Sequence, residues 1–423
     1  MNQDDLTDET AYELARDLRR PSRRGLFRLS AGAAGAGLGA AIAGAAAPLA
    51  RAAGPAAAAT GIVKPTPPEL FIDHGTNAET RWEAMRGQGY LTPADRFFVR
   101  NHTSTPRIDP RTWRLRLWGS GLHGSPTLER AVEFGYEDLL GMPAETITAA
   151  IECTGNGRGF FTSQQGQEVS GTPWRLGAVG VARWRGVPLA TILDRAGITR
   201  DAVDILPRGL DDEYLDKGEN MGRVRRPLPV AKALKDVLVA YEMNGAPLPP
   251  DHGFPARLVV PSWVGIASIK WLGDIQVSDR PLYSPWNTRY YRLFGPGHPP
   301  EGSAPLTRMN VKSAFELPWD ARLARGRTHV LHGRSWSGNG RVREVVVSTD
   351  GGATWRRART HGPGAARGWV RWRYAWRCPE IPGRYELLAR ATDETGATQP
   401  DTAPYNTLGY LFGAVVRHPV TLV

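Results

Sequence analysis

The sequence predicts an α+β fold that is rich in β-strands and ends in an immunoglobulin-like β-sandwich. Its 423 residues include 48 Gly, 34 Pro and 14 Trp, a composition typical of many turns and short strands rather than long helices. From Thr328 onward the pattern is all-β. Residues 342–348 alternate between apolar and polar side chains. The Asp-Gly-Gly sequence at 350–352 predicts a turn, and Thr354 begins the return strand of a hairpin. Strand lengths and spacing there fit a sandwich of about 100 residues.

The preceding part of the chain mixes strands with one short helix. The amphipathic stretch 188–196, followed by Gly197, predicts that helix. Residues 160–165, which follow a glycine-rich loop, do not indicate a helix. Period-2 alternation or continuous apolar character predicts strands over 96–102, 113–119, 146–153, 258–261 and 269–277.

The first 68 residues are typical of an export signal and a linker. Residues 22–28 (SRRGLFR) resemble a twin-arginine motif, and the Ala/Gly-rich stretch 29–50 that follows has only four large apolar residues. This favours a cleaved signal over a membrane anchor. We therefore expect a signal peptide over 1–53 and an Ala/Pro-rich linker over 54–68. The protein would be exported in folded form to a periplasmic or other extracytoplasmic location.

Charge and cysteine content narrow the function classes. The formal net charge is +11, but the basic residues are scattered without a polybasic run. This disfavours nucleic acid and an acidic membrane as partners and leaves a small anion, although a solvated surface accounts for most of these charges. Two cysteines, Cys153 and Cys378, cannot form a disulfide framework, and we expect Cys378 to be a buried structural thiol. Because the chain has no C-x-x-C-H motif, no covalent haem is expected.

Cys153 is the most informative of these residues. It ends a predicted strand and opens a loop with glycines at 155, 157 and 159, which allow the backbone to approach a ligand closely. Arg158 in the same loop favours the thiolate form of the sulfur. A thiolate serves as a nucleophile or as a ligand of a soft metal, and the loop alone leaves both open.

Five motifs together resemble the sulfite oxidase family of molybdenum-cofactor oxidoreductases. The resemblance covers residues 70–423 in order and without large gaps. The motifs are IECTGNGR at 151–158, FFVRNH at 97–102, the signature over 238–257, VGIASIKWLG at 264–273, and SWSG at 335–338 with the turn at 350–352.

The resemblance implies a role for individual residues of this chain. Cys153 would be the metal ligand. The side of the site that binds substrate would contain Arg100, Arg158, Tyr291 and Arg373. Molybdopterin would be held by Phe98, Val99, Arg100, Asn101, His102, Cys153, Asp211, His252, Arg257, Ser268, Ile269 and Lys270. It also implies a sulfite-oxidase-type molybdopterin domain over 69–305 and a dimerisation domain over 306–423, hence a homodimer.

The activity implied is molybdenum-dependent oxidation of sulfite to sulfate. Since no haem is expected in this chain, electrons would pass to an external acceptor such as a c-type cytochrome. Another sulfur compound or oxyanion remains an alternative substrate, as in a sulfane dehydrogenase. The alternative of a different class is a non-enzymatic exported protein that binds an anion or a polymer.

Overall fold

The computed structural model describes residues 61–423, in which strands far outnumber helices. The predicted signal peptide and residues 54–60 of the predicted linker lie outside these residues. Among the described residues, none of the helices has the length and apolar character needed to cross a membrane.

The first part of the described chain contains fourteen short strands. In chain order they are β1 Phe71–His74, β2 Asn77–Thr80, β3 Arg114–Trp118, β4 Val132–Gly135, β5 Glu145–Glu152, β6 Val179–Pro188, β7 Asp204–Gly209, β8 Tyr214–Asp216, β9 Glu219–Gly222, β10 Leu228–Pro229, β11 Leu238–Met243, β12 Ala246–Pro247, β13 Arg257–Val259 and β14 Leu272–Ser278.

Short helices connect these strands. The α-helices are α1 Tyr136–Gly141, α2 Gly159–Gln165, α3 Leu189–Arg195, α4 Val230–Asp236 and α5 Pro285–Thr288. Single 3₁₀ turns occur at Trp82–Met85, Leu128–Arg130, Pro250–His252 and Gly265–Ala267.

One mixed sheet and one antiparallel sheet form the body of this part. One has the strand order β10-β7-β14-β3-β4, and the other has β12-β11-β6-β5 with β13 also paired to β11. Strand β14 is buried along nearly its whole length, although Asp274, Gln276 and Ser278 alternate with its apolar residues. Helices α3 and α4 pack their apolar faces, including Leu189, Ile192 and Ala233, into the core around β14.

The remaining strands form the predicted sandwich. They are β15 Lys312–Phe315, β16 Ala321–Leu323, β17 Thr328–Trp336, β18 Val342–Ser348, β19 Arg356–Arg357, β20 Arg359–His361, β21 Trp369–Arg377, β22 Gly383–Asp393 and β23 His418–Leu422. Sheet β15-β17-β21-β20 faces sheet β16-β23-β22-β18-β19. Their inward side chains, such as Val345, Val347, Trp372 and Leu387, form one buried core.

Most predicted elements are confirmed, with two corrections. Residues 159–165 form helix α2, although the sequence did not indicate one; the helix is short and ends at Gly166, whose φ of +67° suits glycine. Residues 96–102 were predicted to be a strand, but only Val99 pairs, in an isolated bridge with Ala78. The neighbouring residues form no strand pairing, and the side chains of residues 97, 98 and 100–102 line a cavity.

Candidate active site

A cavity, whose empty space is about 720 Å³ when its opening to solvent is included, lies where β5 ends and the loops before β13 and β14 converge. It collects apolar, aromatic and charged side chains from distant parts of the chain, as small-molecule sites commonly do. The lining residues are Phe97, Phe98, Arg100, Asn101, His102, Ile151, Cys153, Thr154, Asp211, Val224, Asp251, His252, Arg257, Gly265, Ile266, Ser268, Ile269, Lys270, Trp271 and Tyr291.

Cys153 reaches this cavity because β5 carries it there. Its backbone N–H donates to the carbonyl of Ala178 (2.9 Å), and its carbonyl accepts from the N–H of Asn156 (2.9 Å), so the chain turns directly after the cysteine. Gly265 lies against the same point: a Cβ there would be 2.6 Å from the carbonyl oxygen of Glu152. The cysteine is therefore fixed at the cavity wall.

Arg100 is oriented by its neighbours in the chain. One guanidinium nitrogen donates to the backbone carbonyl of Asn101, and another lies 3.0 Å from Nε2 of His102. Because Nε1–H of Trp286 also points at that Nε2 (3.1 Å), the ring nitrogen must be an unprotonated acceptor. Burial, together with the charges of Arg100 and Lys270, holds the pKa of His102 well below its usual value.

Tyr291 brings an aromatic stack to the cavity. Its ring lies parallel to that of Tyr410, with centroids 5.1 Å apart. The Arg158 guanidinium lies 5.2 Å from the centroid of the Tyr410 ring. Burial is the main cause that raises the pKa of Tyr291, so its hydroxyl stays protonated. The backbone of Tyr291 has a φ of +57°, a conformation that side chains rarely adopt and that the surrounding packing must hold.

Two further cations line the opposite region. Arg257 donates to the carbonyls of His252 (2.9 Å) and Ser268 (3.0 Å), and burial lowers its pKa to about 9. Lys270 donates to the amide oxygen of Asn101 and to the carbonyl of Asp251 (2.8 Å). Burial and then the charge of Arg257 hold the pKa of Lys270 well below its usual value. Neither makes a salt bridge within the described residues, so an anion in the cavity would stabilise both.

Three buried polar atoms at the cavity have no hydrogen-bond partner among the described residues. They are Nε2 of His252, Oδ1 of Asp211 and Oγ1 of Thr154. Burial raises the pKa of Asp211 to about 6. Buried groups of this kind are normally satisfied, so they indicate a polar ligand. Together with the cations, they fit a molecule that combines a phosphate with a hydrogen-bonding ring, as molybdopterin does.

The start of the described chain binds a carboxylate in the wall of this cavity. The backbone N–H groups of Val63 and Lys64 donate to the carboxylate of Asp251 (2.9 and 2.7 Å), which also accepts from the hydroxyl of Thr105 (2.6 Å). The amine of Lys64 donates to the carbonyls of Ala94 and Phe97, and burial lowers its pKa to about 7. The end of the predicted linker is thus packed against the cavity wall. We call residues 61–64 the N-terminal strap.

The structure brings most of the sequence-predicted site residues together. Val99 lies beneath the lining, buried beside Phe71. Arg158 lies behind Tyr410, where its guanidinium donates to the carbonyls of Leu408 (2.8 Å) and Thr172 (3.0 Å). Arg373 is exposed on β21, between His332 and Arg359 of the neighbouring strands, and does not line the cavity. Its proposed contact with substrate stays a prediction.

Several lining residues were not predicted from sequence. They are Phe97, Ile151, Thr154, Val224, Asp251, Gly265, Ile266 and Trp271. All except Val224, Gly265 and Ile266 either flank a predicted site residue in the chain or belong to the predicted loop at 151–158. Gly265 and Ile266 are within the motif at 264–273. Tyr410, from the far end of the chain, has no local signal and is found only through its stack on Tyr291.

Two family models cover most of the described chain. Residues 102–286 match the oxidoreductase molybdopterin binding domain, and residues 303–422 match the Mo-co oxidoreductase dimerisation domain. The sulfite oxidase of Gallus gallus is 35% identical over 354 residues, which are 79% of this chain and 74% of that protein. The chain belongs to the sulfite oxidase family.

Other relatives agree with this membership in the sulfite oxidase family. The mitochondrial sulfite oxidases of Mus musculus and Homo sapiens are 36% and 37% identical over 82% and 80% of this chain. The matches span only 64% and 63% of those two proteins. Among solved structures, the sulfane dehydrogenase SoxCD from Paracoccus pantotrophus superposes with a TM-score of 0.67 at 29% identity, covering 80% of this chain and 82% of that one. The chain therefore has the molybdopterin-binding and dimerisation domains of this oxidoreductase family, which disfavours the non-enzymatic alternative.

Proposed function

We propose that this enzyme oxidises sulfite to sulfate with a molybdenum-molybdopterin cofactor and passes the electrons to an external acceptor, a c-type cytochrome. The observation that carries the proposal is the single cavity in which the Cys153 thiol, the oriented guanidinium of Arg100 and Tyr291 meet. In the overall reaction sulfite gains one oxygen atom from water and releases two electrons and two protons.

The cofactor would be held by the groups that lack partners in the protein alone. Arg257 and Lys270 would bind its phosphate, and His252 and Asp211 would bind the edge of its ring. No group of three or more His, Cys, Asp or Glu side chains that could hold a metal exists among residues 61–423. Cys153 would therefore be the protein's own ligand, with the cofactor supplying the others. When bound, the molybdenum supplies oxygen transfer and accepts two electrons.

Arg100 would bind the substrate anion. Its guanidinium is already oriented by His102 and Asn101, so little side-chain entropy would be lost when a sulfite oxygen binds. Tyr291 is protonated and can donate a hydrogen bond to a second oxygen. Arg158 would act from behind Tyr410, adding positive potential to the cavity.

The first test is sulfite-dependent reduction of ferricyanide or cytochrome c by the molybdenum-loaded protein. We expect turnover in the natural sequence and none in Cys153→Ser, which should also lose the thiolate-to-molybdenum absorption band. Cys378→Ser is the matched control, because Cys378 is buried in the sandwich core and should not matter. Full sulfite turnover by Cys153→Ser would refute the proposed ligand.

A second candidate substrate is a sulfane sulfur compound. The structural similarity to a sulfane dehydrogenase favours it. If the loaded protein reduces ferricyanide with a protein-bound or low-molecular-weight persulfide but not with sulfite, the substrate assignment changes while the cofactor site stands.

We also propose a homodimer and export by the twin-arginine route. The match to a dimerisation domain supports the first, and the motif at residues 22–28 supports the second. Light scattering on the purified protein should give twice the chain mass. A fusion of residues 1–60 to a folded reporter should reach the periplasm, and Arg23→Lys with Arg24→Lys should retain it in the cytoplasm.

A further inference from the structure

A buried ion pair joins the sandwich to the residue immediately before Cys153. Lys312, the first residue of β15, places its ammonium nitrogen 2.7 Å from a carboxylate oxygen of Glu152, the last residue of β5. Each side chain is only 2% exposed. The two residues come from the two regions that match different family models, so this contact forms only when both are folded against each other.

The same ammonium also reaches the far side of the cysteine loop. It donates to the backbone carbonyl of Asn156 (2.9 Å), and the Asn156 side chain donates to the same oxygen of Glu152 (2.9 Å). The amide oxygen of Asn156 in turn accepts from the N–H of Ala178 (3.0 Å). Residues 152 and 156, on either side of Cys153, are therefore tied to one nitrogen atom of the sandwich.

Backbone and packing contacts from the C-terminal segment support the loop as well. The N–H of Leu411 donates to the carbonyl of Thr154 (3.0 Å). Phe412 packs so closely on Gly157 that a Cβ at that position would lie 3.0 Å from the phenyl ring. The loop that carries Cys153 is thus held from the sandwich side at residues 152, 154, 156 and 157.

Stability alone does not account for the Lys312–Glu152 pair. Removing two charges from water is costly, and an apolar pair of similar volume commonly leaves a protein as stable or more stable. Groups that hold a metal ligand from behind are a different case, because they set the ligand's position and the electron density that it offers.

We propose that Lys312 and Glu152 are positioning residues for the sulfur of Cys153, so that the sandwich domain sets the geometry of the metal ligand. The proposal rests on Cys153 being that ligand. Neither side chain touches substrate, and their effect would pass through the loop backbone at residues 152–156.

The test is the double variant Glu152→Gln/Lys312→Met. Both charges are removed together because one remaining partner would be an unpaired buried charge. We expect a folded, molybdenum-loaded protein whose thiolate-to-molybdenum band is shifted and whose kcat is lowered about tenfold, the lower end of the effect seen when groups behind a metal ligand are lost. The KM for sulfite should not change, since Arg100 is untouched.

A matched control separates positioning from general structure. Arg334 and Glu316 form another buried ion pair (2.5 Å) within the sandwich, and the Arg334 guanidinium also donates to backbone carbonyls of Met85, Gln88 and Tyr90 in the first part of the chain. This pair does not contact the cysteine loop. The double variant Glu316→Gln/Arg334→Met should keep the natural absorption band and kcat even if its melting temperature falls.

The outcomes are distinguishable from failure of the proposed function. An unchanged band and kcat in Glu152→Gln/Lys312→Met would overturn the inference, as would equal band shifts in the test and control variants. If the test variant does not fold while the control does, the milder variant Lys312→Gln decides: natural molybdopterin retention and an unshifted band in that variant would overturn the inference. Failure of the ligand assignment itself shows separately, as a natural band in Cys153→Ser.

Discussion

The neutral side chain of His102 orients the charged guanidinium of Arg100. His102 offers an unprotonated ring nitrogen to Arg100 while Trp286 donates to the same atom. A ring with so low a pKa does not become protonated near neutral pH, so the acceptor is always available to Arg100.

Replacing His102 by Phe should therefore weaken sulfite binding. The charged guanidinium would lose a hydrogen-bond acceptor, which corresponds to a rise in the KM for sulfite of about tenfold. Steady-state kinetics with ferricyanide measure this, and the molybdopterin content of the variant is the control for cofactor loss. An unchanged KM at full cofactor content would contradict the role given to His102.

The raised pKa of Asp211 predicts how the stability of the cofactor-free protein depends on pH. Its pKa is raised to about 6 in the folded protein, above the unfolded value of 3.8, because burial disfavours the carboxylate. The folded state therefore binds the proton more tightly, and Asp211 destabilises it fully above pH 6 and not at all below the unfolded pKa.

Asp211→Asn should accordingly raise the stability of the cofactor-free protein by on the order of 2 kcal/mol at pH 7, and the gain should fade as the pH falls toward 4. Denaturant unfolding at several pH values measures it. The same variant should retain less molybdopterin. A gain that is constant with pH would show that the carboxylate is not the cause.

At the scale of elements, two glycines leave room for the side chain of Arg158 in its packed position. A Cβ at Gly155 would lie 2.6 Å from the guanidinium, and one at Gly171 would lie 2.8 Å from it. Because that guanidinium is bonded to two backbone carbonyls, it cannot move aside cheaply.

Gly155→Ala should destabilise the protein by about 1–3 kcal/mol through overpacking and should lower kcat/KM for sulfite by displacing Arg158. Gly141→Ala is the matched control, because no atom lies within 4 Å of the new methyl group and the change should be nearly neutral. Thermal unfolding and steady-state kinetics on both variants check this. Equal behaviour of the two variants would contradict the packing argument.

Sequence patterns predict elements well where burial is regular. Residues 342–348 alternate and form β18 with the predicted bounds, because one face of that strand covers the sandwich core. Helix α2 was missed because seven residues beginning with Gly and two Phe carry no helical period. The segment at 97–102 looks like a strand because it is apolar, but its side chains serve the cavity.

The whole molecule sets the limits of prediction for the site. Motifs identified the cavity residues that lie near one another in sequence, and the chemistry of Cys153 followed from its loop. The contacts of Tyr410 with Tyr291 and of Lys312 with Glu152 join segments far apart in the chain. No local pattern encodes such pairings, since they depend on how the sandwich packs on the first part.

The overall charge should assist capture of the substrate. The chain carries a formal net charge of +11, and the cavity is lined by three cations. Raising the ionic strength from about 0.01 M to about 0.15 M should lower kcat/KM for sulfite, because screening weakens long-range attraction of the dianion. The kcat at saturating sulfite should stay constant. Stopped-flow or steady-state rates without any salt dependence would contradict this.

The N-terminal strap limits how far the chain can be shortened from its start. Cleavage near residue 53 would leave Val63 and Lys64 in place on Asp251, whereas a start at residue 69 would strip two backbone donors from a carboxylate that has no exposure to water. Recombinant versions that begin at residues 54 and 69 should therefore differ in melting temperature and in cofactor yield. Residues 61–64 should therefore be retained when the enzyme is prepared, although their sequence is typical of a linker.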